Sequence, residues 1–305
     1  MTDVDRLHIA VVGLGAMGLP MATRLATTFT VTGFEPYAPR RAQAEASGLR
    51  VVDTPGEASR EADVALLAVR DQSQAEEALF GDGGVVGALP SGAAVILTST
   101  VGPEAARDLA QRVSSAGYAL VDAPVSGGPV RAGQGDLLIV VGADDVALER
   151  VRPVLEHLAS TLTVVGPRPG DGQSLKTVNQ LLAGIHIAAA AEAIALARAL
   201  DLDPTMVIDV LSQGAAGSFM FGDRGPRMVE AYTGGAEVRS RVDIFVKDMG
   251  IVTSAGRRSH VPLPLAAAAE QLFLIAEAAG LGAQDDSSVV TVLSPDRQRP
   301  TQARA

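Results

Sequence analysis

The chain has 305 residues, 47% hydrophobic and 3% aromatic, with no Cys, no Trp and a formal net charge of -10. Acidity opposes a general phosphate-backbone surface and scarce aromatics oppose a base-stacking platform, so no nucleic-acid partner is expected. Lack of cysteine removes disulfides, thiolate metal sites and cysteine nucleophiles, and His8, His157, His186 and His260 are scattered without ligand spacing, so no metal is expected.

The N-terminal text MTDVDRLHIAVVG carries two aspartates and then a strand-like run. It lacks the basic and apolar regions of a signal peptide, and a cytoplasmic location is expected. Strand-like runs follow at LHIAVV (7–12), FTVTGF (29–34), VALLAV (64–69), AVILT (94–98) and LLIVVG (137–142), with helical spacing between them. This alternation predicts βαβ units and a parallel sheet covered on both faces. The pattern closes near TLTVVGPRPGDG (161–172), whose Gly and Pro mark a boundary. Beyond it, residues 173–200 read as one helix of about 42 Å at 1.5 Å per residue. DLDP (201–204) stops that helix and caps the next, and further helices are expected at 205–212, 241–259 and 263–280. The domains expected are residues 1–168, then helical residues 169–298, with 299–305 as a disordered tail.

The long helix contains VNQLLAGIHIAAAAEAIALARAL (178–200), apolar enough to raise the question of a membrane span. Asn179, Gln180, His186, Glu192 and Arg198 interrupt it, and alanine drives insertion weakly, so a buried helix is the better reading and no membrane partner is expected.

GLGAMGLPMATRLA (13–26) fits G-x-G-x-x-G through Gly13, Gly15 and Gly18, after a strand and opening a helix. In that context it predicts a dinucleotide on Gly13, Leu14, Gly15, Ala16, Met17 and Gly18, with pyrophosphate at the helix N-terminus. Glu35 follows 17 residues after Gly18, where a carboxylate accepts from a ribose 2′-OH and repels a 2′-phosphate. Arg40 and Arg41 lie near enough to recruit that phosphate instead, or simply to be solvated. NAD is expected over NADP.

DAPVSGGPVRAGQGDL (122–137) surrounds Ser126 with glycine and proline. Ser126, Gly127 and Gly128 offer a hydroxyl and backbone N–H groups suited to a carboxylate, although a plain surface loop also fits. In GQSLKTVNQLLAG (172–184), Lys176, Asn179 and Gln180 fall at i, i+3 and i+4 on one helix face, while Leu175, Val178, Leu181 and Leu182 lie elsewhere and are expected to pack. Two readings stay open: a polar site, or a lysine starting the helix at the surface with amides bonded to backbone. RVDIFVKDMGIVTSAGRR (241–258) is an amphipathic helix in which Lys247 and Asp248, by themselves, read as an exposed ion pair.

Together, GLGAMGLPMA, DAPVSGG, G-x-x-x-K and KDMGI resemble the β-hydroxyacid dehydrogenase family over residues 7–292. The resemblance implies an α/β N-terminal Rossmann domain and an all-α C-terminal domain, joined by a long interdomain helix. It implies Lys176 as catalytic acid/base, Asn179 and Gln180 orienting lysine and substrate, and Ser126, Gly127 and Gly128 holding the substrate carboxylate. It further implies Lys247 near cofactor and substrate, and Val69 and Thr100 lining the nicotinamide side. To act as a base, Lys176 must lose its proton, which burial, Lys247 and the oxidised nicotinamide are expected to favour. Many members carry K-x-x-N-N or K-x-x-H-N, whereas this chain has Gln180 after Asn179. That Gln, with VNQLLAGIHIAAAAEAIALA, VDIFVKDMGIV and PLPLAAAAEQLFL, is similar to the branch that oxidises L-threonate at C2 with NAD. A 3-hydroxyisobutyrate or tartronate semialdehyde enzyme is the alternative. An imine reductase fits less well, because Lys176 is present, and a non-enzymatic dinucleotide sensor is a further rival. The Ala-rich helix has more apolar face than one small domain covers, so a homodimer or homotetramer is expected.

Overall fold

A computed structural model describes residues 7–293, in two compact units, Met1–Thr177 and Val178–Ala305. The expected tail, 299–305, lies outside the described residues. The first unit runs β1(His8–Val12), α1(Gly18–Ala26), β2(Thr30–Phe34), α2(Ala38–Ala46), β3(Arg50–Val52), α3(Pro55–Ser59), β4(Val64–Leu67), α4(Gln72–Phe80), β5(Ala94–Leu97), α5(Pro103–Ser115), β6(Ala119–Asp122), β7(Val125–Ser126), α6(Gly128–Gln134), β8(Leu137–Gly142), α7(Asp145–Leu158) and β9(Ala159–Gly166). α8(Asp171–Ala199) begins in this unit and continues into the second. There follow α9(Pro204–Ser212), α10(Phe219–Ala231), α11(Val242–Arg258), α12(Pro264–Ala276), a π turn at Glu277–Leu281, a 3-10 turn at Asp286–Val289 and α13(Val290–Leu293).

The sheet is ordered β3-β2-β1-β4-β5-β6-β8-β7, with β9 beside β8. From β3 to β6 every pairing is parallel, β8 is antiparallel to β6 and β7, and β9 runs parallel to β8. Alternation within the central strands splits the apolar side chains into two layers. Ile9, Val11, Leu66 and Ile96 pack with Met21 and Leu25 of α1 and with α7, while Ala10, Val12, Leu67 and Leu97 pack with α4 and α5. Both faces are covered, which is why these strands are continuously apolar.

Four strands escape the sequence reading. β3 and β7 are only 3 and 2 residues long, β6 ends on a charge, and β9 occupies Ala159–Gly166 at the start of the 161–172 stretch. β9 is an edge strand with a mostly exposed burial pattern, so it carries little of the apolar signal that marks a strand. Helix α10 was missed because Gly222, Gly225 and Pro226 break its text, although Ser218 caps it by accepting from Phe221 N.

The second unit is all-helical among the described residues. Ala183, Ile187, Ala190, Ala191 and Ile194 of α8 form its core with Met249 and Val252 of α11 and Phe273 of α12. Two helices, Asp171–Ala199 and Pro264–Leu281, have the length and composition of a membrane span, and in the first half of the most apolar window is buried. The same unit holds a buried charge network. Asp285 accepts from Arg227, from Arg239 N at 2.9 Å and from Ser287 Oγ at 2.6 Å. Burial raises the Asp285 pKa, but the Ser287, Arg239 and Arg227 contacts outweigh it and hold the carboxyl below its ordinary value. Val242 N donates to Gln284 O, and Asp286 N to Ser240 O. The 284–286 turn therefore fixes the start of α11.

Asp285→Ala removes the acceptor of the buried Arg227 Nη1, leaving Arg227 only Asp223 and Asp286, and is expected to cost about 3–5 kcal/mol. Chemical denaturation checks this, and a midpoint equal to the parent protein's would show that the turn does not hold α11.

Candidate active site

The expected dinucleotide residues of the first unit stand at the carboxyl ends of adjacent parallel strands. Gly13 follows β1, Val69 follows β4 and Thr100 follows β5, while Ser126, expected at the substrate carboxylate, ends β7, which pairs antiparallel with β8. This edge is where open α/β sheets bind ligands, because connections leave in opposite directions from neighbouring strands. The strand-to-helix turn is held by contact at backbone distance. A Cβ on Gly18 would lie 1.8 Å from Gly13 O, and one on Gly13, whose φ is 92°, would lie 2.6 Å from Ala68 O. The first turn of α1 thus sits directly on the end of the sheet, with Leu19 N donating to Gly15 O and Met21 N to Met17 O. A Cβ on Gly15, by contrast, would meet only Arg40, Nη1 at 3.0 Å and Cζ at 3.7 Å. Above Gly15 there is a flexible side chain and no backbone, so the loop fits a pyrophosphate approached from that side.

Glu35 is buried at the end of β2. Its Oε2 accepts from Leu14 N at 2.9 Å and its Oε1 from Tyr37 N at 3.0 Å. The carboxylate braces the Gly-rich loop, and each oxygen keeps a lone pair for a ribose hydroxyl. The two arginines separate in role. Arg41 is engaged with Glu45 at 3.1 Å and Asp53 at 2.6 Å, whereas Arg40 reaches the Gly15 side of the loop. Val69 N donates to Ser99 Oγ at 2.9 Å, joining the ends of β4 and β5. Ser126 closes β7, Gly127 caps α6 and Gly128 opens it, so the Ser-Gly-Gly text is a strand-to-helix corner.

Helix α8 inverts the usual order of polarity. Lys176 and Gln180 are both 8% exposed, while Leu175, Val178 and Leu182 are 41%, 55% and 50% exposed. Of the two open readings, a lysine starting the helix at the surface is excluded, and the expectation that these three apolar residues pack is corrected, since about half of each is exposed. A lysine and a carboxamide occupy the buried positions that hydrophobic patterning assigns to leucine, at a desolvation cost that packing alone does not require.

In the second unit Gln180 is tied to α11. Asn179 Nδ2 donates to Gln180 Oε1 at 2.8 Å, and Gln180 Nε2 donates to Asp248 Oδ2 at 2.6 Å. Lys247 Nζ lies 2.8 Å from Asp248 Oδ1. The exposed ion pair expected of Lys247 and Asp248 is thereby corrected, since Asp248 is 3% exposed. The four side chains form one chain, Asn179–Gln180–Asp248–Lys247. Asp248 can only accept, which makes Gln180 donate to it and present its carbonyl to Asn179. Asp248 was missed as a site residue because its ion-pair partner is its sequence neighbour, and the amide it orients lies 68 positions away.

Comparison with known proteins identifies the family. Residues 8–166 match the NAD binding domain of 6-phosphogluconate dehydrogenase, and residues 170–293 match the domain described as NAD-binding of NADP-dependent 3-hydroxyisobutyrate dehydrogenase. An L-threonate dehydrogenase of Cupriavidus necator is 40% identical, covering 93% of this chain and 95% of its own. One of Escherichia coli O6:H1 is 37% identical, covering 96% and 97%. The crystal structure of a 3-hydroxyisobutyrate dehydrogenase from Salmonella typhimurium superposes with a TM-score of 0.87 at 35% identity, covering 94% of this chain and 99% of that one. The chain belongs to the β-hydroxyacid dehydrogenase family, of 3-hydroxyisobutyrate dehydrogenase type, and is an NAD(P)-dependent oxidoreductase.

Proposed function

We propose that this enzyme oxidises L-threonate at C2 to the 2-oxo acid, using NAD, with Lys176 as the acid/base. The observation that carries the reading is a lysine buried in the first turns of α8, in a chain whose relatives include L-threonate dehydrogenases. The Gly13–Gly18 loop and Glu35 would hold the dinucleotide, which when bound supplies the hydride acceptor. Lys176 Nζ takes the hydroxyl proton as C2 becomes a carbonyl, and returns it in the reverse reaction. Ser126 and the backbone N–H groups of Gly127 and Gly128 hold the substrate carboxylate. Oxidation at C2 leaves the carboxylate beside the new ketone, so no β-keto acid arises to decarboxylate.

Asn179 and Gln180 supply polarity. Because Asp248 takes one N–H of Gln180 and Asn179 gives one N–H to Gln180, Asn179 retains its Oδ1 and a second N–H for substrate hydroxyls. A donor and an acceptor side by side suit a polyhydroxylated acid better than an alkyl one. This favours threonate over 3-hydroxyisobutyrate, the alternative to which the similarity to the Salmonella typhimurium 3-hydroxyisobutyrate dehydrogenase points. Glu35 supports NAD: a carboxylate fixed on the loop repels a 2′-phosphate. The exposed Leu175, Val178 and Leu182 form one stripe of α8 at i, i+3 and i+7, and we take a second copy of this chain to cover it.

Lys176→Ala is expected to lower kcat about 10²–10⁴-fold while NADH binding persists; near-parental turnover would refute the assignment. A hydroxy-acid panel run separately with NAD and NADP should give L-threonate with NAD as the best pair, and 3-hydroxyisobutyrate turnover without threonate turnover would overturn the substrate. Asp248→Leu strands the Gln180 amide, so kcat/KM should fall about 10–100-fold, the equivalent of about 1–3 kcal/mol. Light scattering should report a dimer or larger species, and a monomer would reject the covered stripe.

A further inference from the structure

Gln173 stands in the first turn of α8, three residues before Lys176, and is 0% exposed. Its Oε1 accepts from Val101 N at 3.0 Å and Gly102 N at 3.1 Å. Its Nε2 donates to Ser99 O at 3.0 Å and to Asp122 Oδ1 at 2.9 Å. The backbone N–H of Gln173 donates to Asp122 Oδ2 at 2.9 Å, and that oxygen also accepts from Gly170 N at 2.8 Å. Asp122, the last residue of β6, is likewise 0% exposed.

Every direction in this cluster is determined. Two backbone N–H groups can only donate, so they claim the Gln173 carbonyl oxygen. The amide NH2 is left for a backbone carbonyl and a carboxylate, both of which only accept. The chain wraps the carboxylate closely: a Cβ on Gly172 would lie 3.1 Å from Asp122 Oδ2 and 2.8 Å from Val140 O. Among the described residues no cation pairs with Asp122. Burial pushes its carboxyl above the ordinary carboxylate range, against the N–H groups of Gln173 and Gly170, which pull the other way. A helix start needs none of this, because a surface Ser or Asp caps one at no desolvation cost.

The cluster joins three segments that carry proposed site residues. Ser99–Gly102 contains Thr100, β6 leads through Ala123 to Ser126, and the first turn of α8 leads to Lys176. We propose that Gln173 and Asp122 form a polarity-locked clamp that holds Lys176 at a fixed position relative to Thr100 and Ser126. They are positioning residues, since neither is exposed to meet substrate, and the proposal rests on the reading of Lys176 as acid/base. Misplacing a reacting group by about 1 Å costs on the order of 10²-fold in rate, which is the scale at which such a clamp matters.

The test uses Gln173→Glu, Asp122→Asn, their double variant and Lys176→Ala, each assayed with the hydroxy acid the parent enzyme turns over best. Gln173→Glu sets a second carboxylate against Asp122, and the two cannot both ionise at that distance. Its kcat should fall about 10²-fold and become dependent on one proton that the parent profile lacks, with activity recovering as that proton is restored at lower pH. Asp122→Asn turns a donor toward the Gln173 NH2 and should lose a similar factor. The double variant moves the carboxylate from position 122 to 173 and restores a donor–acceptor pair, so its kcat should exceed that of either single variant. NADH binding should be retained throughout. Single variants with parental kcat and pH profile, or losses that merely add in the double variant, would overturn the clamp. Should Asp122→Asn not fold, the pH profile of Gln173→Glu tests the same contact alone. Lys176→Ala separates the two ideas: turnover that survives it refutes the lysine assignment, whereas its loss beside unimpaired clamp variants refutes the clamp only.

Discussion

A carboxylate shut off from water must be met by N–H donors, and much of the first unit's carboxyl edge is arranged around that demand at Asp122. Three N–H groups reach it, two from Gln173 and one from Gly170. Satisfying it draws the start of α8 against the end of β6, and the remaining hydrogen bonds of Gln173 draw in the loop after β5. A buried, satisfied polar network is stiffer than an apolar contact because only one arrangement of donors and acceptors avoids an orphaned group. The helix that carries Lys176 is thus anchored by direction as well as by packing.

The same logic recurs in the second unit with a different acceptor. Asp248 dictates which way the Gln180 amide faces, and Gln180 dictates the facing of Asn179. Behind Asp248, α11 starts from the 284–286 turn and its buried arginine–aspartate network. A side-chain amide has donor and acceptor ends of nearly equal size, so packing does not distinguish them. A carboxylate does. Placing buried acids beside amides is how this chain converts shape into hydrogen-bond polarity.

At the Gly-rich loop the constraint is distance. Gly18 and Gly13 meet at a separation that admits no side chain, and Glu35 ties Leu14 to the end of β2. One carboxylate therefore braces the loop. That bracing explains why Glu35 is buried although the reading from sequence needed only its charge.

Local sequence was enough for the α/β pattern, the parallel strands, the Gly-rich turn, the long helix and the G-x-x-x-K text. Each of these rests on periodicity or on backbone conformation within a few residues. It also offered Lys176, Asn179 and Gln180 as one helix face, but left open whether that face was buried or at the surface. Tertiary structure decided this, because burial depends on what covers a face, and nothing in the order 175–182 states that leucines are exposed while lysine and glutamine are buried. Strand β9 and helix α10 were illegible for the same kind of reason: an exposed edge strand has no apolar alternation, and α10 is held through its cap and packing despite its breakers. The roles of Asp122, Gln173 and Asp248 could not be read at all. Their partners lie 48 to 74 positions away, and a hydrogen bond is set by distance in space, which the sequence encodes only through the completed fold.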